Sequence, residues 1–337
     1  MAIAKKILST FFILRDLVSS EILAKWSRRW YFLRVKDSDL KSRIEKLKRT
    51  KDAIILAHNY QLPEIYDVAD FVGDSFELAM KARETQAKII IFCGVHFMAE
   101  SAKILNPEKK VLIPDLNAGC FLADMVTAES LQAKKKTFPA AAVVAYVNSS
   151  AAVKAETDVC CTSANAIEIC RKLPERQIIF VPDENLGEWV AENLPEKEII
   201  LWAGNCYVHS KILVEKIQEA QKSHPQAIIL AHPESPKKVR DLAEKVLGTG
   251  GMLKFVKNST ADEFLIATES GMLEKLKRAT QNKKFWSLGG ECLNMKKITL
   301  PKVLNSLEKD EYEIKVDEKT AQKARRSLER MVELTER

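Results

Sequence analysis

The sequence predicts an α/β protein made of three similar domains, each with a mainly parallel sheet flanked by helices, around a central active site. The first observation is that short aliphatic runs alternate with amphipathic stretches along the 337 residues. Continuous apolar strands between helices are typical of parallel sheets covered on both faces. The second observation is that several residue types recur at a nearly constant spacing of 86 to 88 positions. The chain therefore contains three related units.

Eight apolar runs are the predicted strands, in chain order. They cover 53–57, 89–93 and 111–113 in the first unit, 143–147, 178–181 and 199–202 in the second, and 228–231 and 264–267 in the third. We expect an N-terminal extension at 1–38, domains at 39–120, 121–206 and 207–300, and a C-terminal helical region at 301–337 that packs back on the first domain.

A repeated motif marks where the units begin. The segment IILAHNY (54–60) nearly recurs as IILAHPE (228–234), with a weaker copy, VVAYVN, at 143–148. When the copies are aligned on His58, Tyr146 and His232, a hydroxyl residue lies 17 positions further on in each unit: Ser75, Ser163 and Thr249. Ligands bind outside the carboxyl ends of parallel strands, so we expect these positions to converge there.

Each unit ends in a cysteine. Cys120, Cys206 and Cys292 are 86 residues apart, and each follows a glycine in a short loop. The alternative is three buried structural thiols, but the equal spacing favours ligands. Three thiolates favour zinc or an iron–sulfur cluster, and the close cysteine pairs of structural zinc sites are absent. A cubane normally has four cysteine ligands, so three would leave one iron open as a Lewis acid.

The other four cysteines lack this context. Cys93 falls within a predicted strand and Cys170 within a helical run, so both are interpreted as core residues. The adjacent Cys160 and Cys161 stay ambiguous. The seven thiols have no dense spacing pattern, so we do not expect disulfides.

Charge and hydropathy exclude several classes of function. The net charge is +7, but residues 1–36 hold eight Lys/Arg against two acidic residues, so the remainder is nearly neutral. A nearly neutral chain after residue 36 lacks the basic surface that nucleic-acid binding requires. No apolar run approaches the ~18 residues of a membrane span, and no signal peptide is evident. We therefore expect a cytoplasmic enzyme with no nucleic-acid partner and no transmembrane segment.

Acid–base groups accompany the strand ends. His58 and His232 occupy equivalent positions, and Tyr60 and Glu234 follow them by two residues, as Asn148 follows Tyr146. Such groups suit proton transfer, and His209, three residues after Cys206, is expected in the same space. Two interpretations of Ser75 and Ser163 stay open: capping of the helices that follow, or binding of anions at those helix N-termini.

These residues resemble the quinolinate synthase family over about 40–335. The resemblance rests on AHNYQ, VADFVGDS, FMAESAKIL, PDLNAGC, YVNSSAAVKAETDVCCTSANA, WAGNCYVHSK, AHPE, ATESGM and LGGECLNMKKITL. It implies one 4Fe–4S cluster per chain, held by Cys120, Cys206 and Cys292. It also implies a transferase that condenses iminoaspartate with dihydroxyacetone phosphate to quinolinate for NAD biosynthesis, linked functionally to an L-aspartate oxidase or aspartate dehydrogenase.

The resemblance also implies residue roles. The catalytic group would be Tyr60, His58, Glu234 and His232, and the substrate would contact His58, Tyr60, Ser75, Met98, Tyr146, Asn148, Ser163, His209, His232, Glu234 and Thr249. The chain departs from the family at Gly248, where a serine is common, and at Phe121 and Tyr207, where smaller or aliphatic residues are common. Two rivals remain: an iron–sulfur regulator or electron carrier, and a zinc-dependent lyase on the same fold.

Overall fold

The computed structural model describes residues 37–336. The predicted basic extension lies outside the described residues except for its last two positions. Helix α1 covers residues 37–51 and leads directly into the first strand. Its Leu40 and Ile44 are buried, which fixes it against the first sheet's core.

The first sheet carries four parallel strands. It is built from β1 (Ala53–His58), β2 (Phe71–Gly73), β3 (Ile89–Cys93) and β4 (Lys110–Leu112) in the order β2-β1-β3-β4. The helices between them are α2 (Pro63–Tyr66), α3 (Ser75–Glu84) and α4 (His96–Leu105). A 3₁₀ turn, Ala123–Met125, and α5 (Ala128–Thr137) lead to the next unit.

The second sheet repeats this topology. It is built from β5 (Ala142–Tyr146), β6 (Val159–Cys161), β7 (Gln177–Val181) and β8 (Glu198–Leu201) in the order β6-β5-β7-β8. Its helices are α6 (Ala151–Ala155), α7 (Ala166–Lys172) and α8 (Glu184–Asn193). Helices α9 (Tyr207–Ser210) and α10 (Val214–Ser223) follow.

The third sheet has the same order again, which confirms the predicted α/β class with three related units. Its strands are β9 (Ile228–Ala231), β10 (Lys245–Val246), β11 (Glu263–Ala267) and β12 (Lys284–Ser287), ordered β10-β9-β11-β12. Its helices are α11 (Lys237–Arg240), α12 (Thr249–Asn258) and α13 (Met272–Ala279).

Two helices end the described chain after a 3₁₀ turn at Met295–Lys297. Helix α14 (Leu300–Lys309) packs on β3 of the first sheet. Helix α15 (Glu318–Glu336) packs mainly on α6 and β6 of the second sheet and also reaches α4. The C-terminal region therefore joins two of the three sheets, while the predicted domain boundaries stay a prediction.

An exposed carboxylate residue binds the start of a central strand in every unit. Oxygens of Asp70, Asp158 and Glu244 accept hydrogen bonds from the backbone N–H groups of Ile55, Val143 and Ile229, at 2.7, 2.7 and 2.6 Å. In each case the acceptor lies 15 residues after the donor. The repeat therefore extends to hydrogen bonds that the apolar pattern does not encode.

The core is largely shared by the sheets. One buried cluster includes Ile55 of the first sheet, Ile178 of the second and Phe264 of the third. No helix within residues 37–336 combines the length and the apolar character needed to cross a bilayer.

Candidate active site

A cavity of about 800 Å³ lies where the three sheets meet, and the carboxyl ends of β1, β5 and β9 contribute to its wall. All fourteen sequence-predicted site residues line it: His58, Tyr60, Ser75, Met98, Cys120, Tyr146, Asn148, Ser163, Cys206, His209, His232, Glu234, Thr249 and Cys292. The structure thus brings the predicted residues together, although their roles stay predictions.

The three repeat cysteines have the same local geometry. In each case the sulfur receives backbone N–H groups from the residues two and three positions later: Leu122 and Ala123 for Cys120, Val208 and His209 for Cys206, and Asn294 and Met295 for Cys292. These residues begin the short helical turns after each cysteine. Burial raises the pKa of all three thiols, and these N–H groups act against it by favouring the thiolate, which is the form that binds metals.

The three cysteine loops contact one another directly. The ring of Phe121, next to Cys120, lies edge-on to Tyr207, next to Cys206, with centroids 5.7 Å apart. The Tyr207 hydroxyl accepts a hydrogen bond from Leu293 N, next to Cys292, at 2.9 Å. The two departures noted in the sequence, Phe121 and Tyr207, therefore connect the loops to each other.

Glycines allow two of these loops to approach the sheets. A Cβ atom at Gly204 would lie 2.3 Å from the carbonyl oxygen of Pro182, and one at Gly289 would lie 1.8 Å from that of Thr268. No side chain fits at such distances. The loops of Cys206 and Cys292 are therefore pressed against the ends of β7 and β11.

Glu234 and three histidines form the polar part of the pocket. One carboxylate oxygen of Glu234 lies 3.2 Å from His232 Nδ1 and 3.3 Å from His209 Nδ1. The two imidazole rings are stacked with centroids 4.6 Å apart. His58, His209, His232 and Glu234 are all buried. Electrostatic interactions among these four side chains are therefore strong.

Thr268 connects this group to Tyr60. Its hydroxyl lies 2.8 Å from Tyr60 Oη and 2.8 Å from His209 Nε2. Thr268 is fully buried at the end of β11. Sequence analysis missed it, although it lies inside the ATESGM motif.

Burial controls the protonation states in this group. It lowers the pKa of His58 to about 3, with help from Lys296, and lowers the pKa of His209 to about 4 against the opposing effect of Glu234. Burial raises the pKa of Glu234, but His209 and His232 outweigh it, and the net shift is downward. Burial and Glu234 raise the pKa of Tyr60. In the metal-free protein, Glu234 is therefore ionised at neutral pH, His58 and His209 are neutral, and Tyr60 keeps its proton.

The interpretation of Ser75 and Ser163 as helix caps is wrong. Asp74 caps α3 by accepting hydrogen bonds from Phe76 N and Glu77 N, and Ser75 is the first helical residue. Ser163 precedes the N-cap position of α7, and its hydroxyl lies 3.1 Å from His232 Nε2. Thr249 accepts a hydrogen bond from Asn59 Nδ2 at 3.1 Å. All three hydroxyls line the cavity.

The departure at Gly248 also affects this region. A Cβ atom there would lie 2.9 Å from the Ser163 hydroxyl oxygen. A serine, as is common in the family, would crowd Ser163. Gly248 therefore leaves that hydroxyl more room.

Several buried polar atoms at the pocket lack a partner among the described residues. They include Asn148 Oδ1 and Glu234 Oε1. Buried polar atoms are nearly always hydrogen-bonded in proteins, so unpaired ones that line a cavity mark where a ligand binds.

The remaining four cysteines are buried away from this cavity. Cys93 lies in β3 and Cys170 in α7, as predicted for core residues. Cys160 and Cys161 lie in β6, where the sulfur of Cys160 is 3.4 Å from the Ser327 hydroxyl oxygen. All seven cysteines are free thiols.

Two buried carboxylates next to the cysteine loops were also missed. Asp183 accepts a hydrogen bond from Cys206 N at 3.2 Å, and Glu269 accepts one from Cys292 N at 3.0 Å. Burial raises the pKa of both carboxyls. The sequence did hold a signal, because each lies 23 residues before its cysteine.

The donor atoms fit two kinds of metal centre. The three cysteine loops suit a cluster, whose ligands stand on different irons and need not converge on one point. Within the described residues, one group also fits a single ion: ligand atoms of Cys206, His209 and Glu234 all lie within 4.8 Å of one another.

Comparison with known proteins identifies the family that this architecture matches. The family model described as Quinolinate synthetase A protein matches residues 42–333. The quinolinate synthase of Caldicellulosiruptor saccharolyticus is 51% identical over 298 residues, covering 88% of this chain and 98% of its own. The quinolinate synthase of Clostridium kluyveri is 50% identical over 300 residues, with 88% and 99% covered. Quinolinate synthase 2 of Methanosarcina acetivorans is 48% identical over 303 residues, with 89% and 97% covered.

Proposed function

The chain belongs to the quinolinate synthetase A family, and on that premise we propose that it condenses iminoaspartate with dihydroxyacetone phosphate to quinolinate. Phosphate and water are lost, and the product enters de novo NAD biosynthesis. The names of its relatives support the product, and the substrates follow from the resemblance recognised in the sequence.

We further propose that Cys120, Cys206 and Cys292 hold one 4Fe–4S cluster. The observation that carries this is the shared sulfur geometry: three cysteines from three units, each receiving two backbone N–H groups, in loops that contact each other. Such a cluster supplies Lewis-acid chemistry at an iron that no cysteine occupies.

Tyr60, Thr268 and His209 form a path for protons. Tyr60 Oη and His209 Nε2 each lie 2.8 Å from the Thr268 hydroxyl, which can accept one proton and donate another. His209 is neutral and can therefore accept a proton, while Tyr60 keeps one to give. This assigns Tyr60 as a general acid and Glu234 with His209 as the general base.

The hydroxyl residues bind the substrate's anionic groups in this proposal. Ser75 and Thr249 begin α3 and α12, where the helix dipoles favour an anion. The Asp74 carboxylate already accepts the N–H groups of Phe76 and Glu77, so the two hydroxyls would supply the hydrogen bonds to a carboxylate or phosphate. Ser163 and Asn148 add polar contacts on the side of the second sheet. His58 and His232 lie between these groups and orient the carbon skeleton.

The proposal extends to the cellular setting. Iminoaspartate is unstable as a free imine, so an L-aspartate oxidase or aspartate dehydrogenase would supply it in the same compartment, which we propose is the cytoplasm. A physical complex is not required for this link.

Anaerobic purification tests the proposal. We expect about four irons and four sulfides per chain and quinolinate formation from the two substrates. Serine at Cys120, Cys206 or Cys292 should abolish both, whereas serine at Cys93, Cys160, Cys161 or Cys170 should leave the iron content unchanged. Dependence on any of the latter four would contradict the ligand assignment and favour a closed, electron-carrying cluster.

A zinc-dependent lyase is the second candidate, because Cys206, His209 and Glu234 could hold a single ion. Catalytic zinc sites use three protein ligands and keep one position open. Zinc at one equivalent, with no sulfide, and activity that survives serine at Cys120 and Cys292 would favour it.

A further inference from the structure

Asp183 and Glu269 occupy equivalent positions beside two of the three repeat cysteines. Asp183 follows β7 and Glu269 follows β11, and the two are 86 residues apart. Both are fully buried. Oδ2 of Asp183 accepts a hydrogen bond from Cys206 N at 3.2 Å, and Oε1 of Glu269 accepts one from Cys292 N at 3.0 Å.

The second oxygen of each carboxylate holds the next helix of its own unit. Oδ1 of Asp183 accepts a hydrogen bond from Leu186 N in the first turn of α8, at 2.8 Å. Oε2 of Glu269 accepts one from Gly271 N, the N-cap of α13, at 2.7 Å. Each carboxylate therefore links a cysteine loop to the start of a helix. One oxygen accepts the N–H group of the cysteine, and the other accepts an N–H group of the helix start.

The backbone closes the cysteine loop in all three units, through hydrogen bonds from His96 N to Ala118 O at 2.7 Å, from Glu184 N to Gly204 O at 2.7 Å and from Ser270 N to Gly290 O at 3.0 Å. Only the second and third units add a carboxylate, because the equivalent position of the first unit holds Phe97. A buried carboxylate is costly, even with Lys296 Nζ 3.0 Å from Glu269 Oε1, and backbone bonding alone is enough at Cys120. The two carboxylates therefore do something for Cys206 and Cys292 beyond closing a loop.

We propose that Asp183 and Glu269 are positioning residues that hold Cys206 and Cys292 as ligands of the metal centre. The inference rests on the cluster proposed above. Outer groups of this kind orient metal ligands, and their loss weakens metal binding by about 10-fold to 100-fold.

Isosteric amides test the proposal, because an amide keeps the volume but offers only one acceptor oxygen. Asp183→Asn and Glu269→Gln should each lose the cluster to a chelator about tenfold faster than the unsubstituted protein. The visible spectrum of the loaded cluster should also change. Melting of the metal-free protein is measured alongside, so that a loss of stability is separated from a faster loss of the cluster.

The controls are Asp158→Asn and Glu244→Gln. These carboxylates also accept a backbone N–H group at the start of a strand, but they are exposed, immediately precede β6 and β10, and lie outside the cavity wall. They report the cost of the same chemical change without a cysteine partner, and we expect cluster loss at the unsubstituted rate.

The outcomes separate this inference from the proposed function. Equal chelation rates for the site variants and their controls would overturn the positioning role, as would a lowered melting temperature with an unchanged rate and spectrum. If one amide variant does not fold, the chelation rate of the other tests the proposal. Asp183→Glu and Glu269→Asp keep both acceptor oxygens and should lose the cluster as slowly as the unsubstituted protein. If the unsubstituted protein binds no cluster, the proposed function itself fails.

Discussion

At the scale of single residues, the hydroxyl of Thr268 connects two of the proposed acid–base groups. It is the only atom that bridges Tyr60 Oη and His209 Nε2 among the described residues. Thr268→Val keeps the shape and removes the bridge. We expect turnover to fall by about 100-fold, the usual contribution of a positioned proton-transfer group.

The measurement is steady-state quinolinate formation, together with the iron content and melting temperature of each variant. Thr157→Val is the matched control, because the Thr157 hydroxyl donates only to Val153 O on α6. Loss of activity in proportion to loss of iron would contradict a proton path and make Thr268 a structural residue.

Thr268 also shows why part of the site escaped sequence analysis. His58, His232 and the three cysteines were predictable because they recur in register along the chain. The contact of Thr268 with Tyr60 joins residues 208 positions apart, and no local pattern encodes it. Asp183 and Glu269 did recur in register, but without a third copy, since Phe97 replaces it.

At the scale of secondary-structure elements, the start of α3 places the capping residue Asp74 beside Ser75, the proposed binding residue. Asp74 holds two N–H groups of the helix, and the N–H of Gly250 also points at its carboxylate. Asp74→Ala should therefore lower the free energy of unfolding by about 1 kcal/mol or more. Ser75→Ala should change it by about 0.5 kcal/mol or less and should instead raise KM.

Denaturant unfolding and steady-state kinetics on both variants check this pair. Equal losses of stability with unchanged KM for Ser75→Ala would show that Ser75 serves the helix and not the ligand. The sequence placed both residues at a helix start, but it could not distinguish a cap from the next position, which depends on one residue's backbone angles.

Helix α15 is a second element whose importance is measurable. Leu328 is 1% exposed on a face that packs on α6 and β6. Leu328→Ala should lower the free energy of unfolding by about 3 kcal/mol, because the surrounding sheet cannot collapse into the space. Glu329→Ala, on the exposed face of the same helix, should have little effect. Similar values for both in a denaturant titration would mean that α15 packs loosely.

At the scale of the whole molecule, the three sheets have one strand order, and the sequence predicted much of it. All eight predicted strands are present within one residue of their expected limits. The four missed strands, β2, β6, β10 and β12, have two to four residues each and contain no run of three aliphatic residues. All four are edge strands, so each pairs with a single neighbouring strand.

In this architecture the proposed metal centre would link the three units, because its three proposed ligands follow three different sheets. A ligand that binds only the folded state stabilises it in proportion to its affinity, and here it also ties separate parts of the chain together. Anaerobic chelation should therefore lower the melting temperature of the loaded protein by roughly 5 °C or more. Hydrogen exchange should rise at all three cysteine loops together, because removal of one shared group frees each of them.

Cys206→Ser, which holds no cluster in this proposal, should melt at the metal-free temperature and show no response to chelator. A response confined to the loop of Cys206 would instead indicate a single ion held by Cys206, His209 and Glu234.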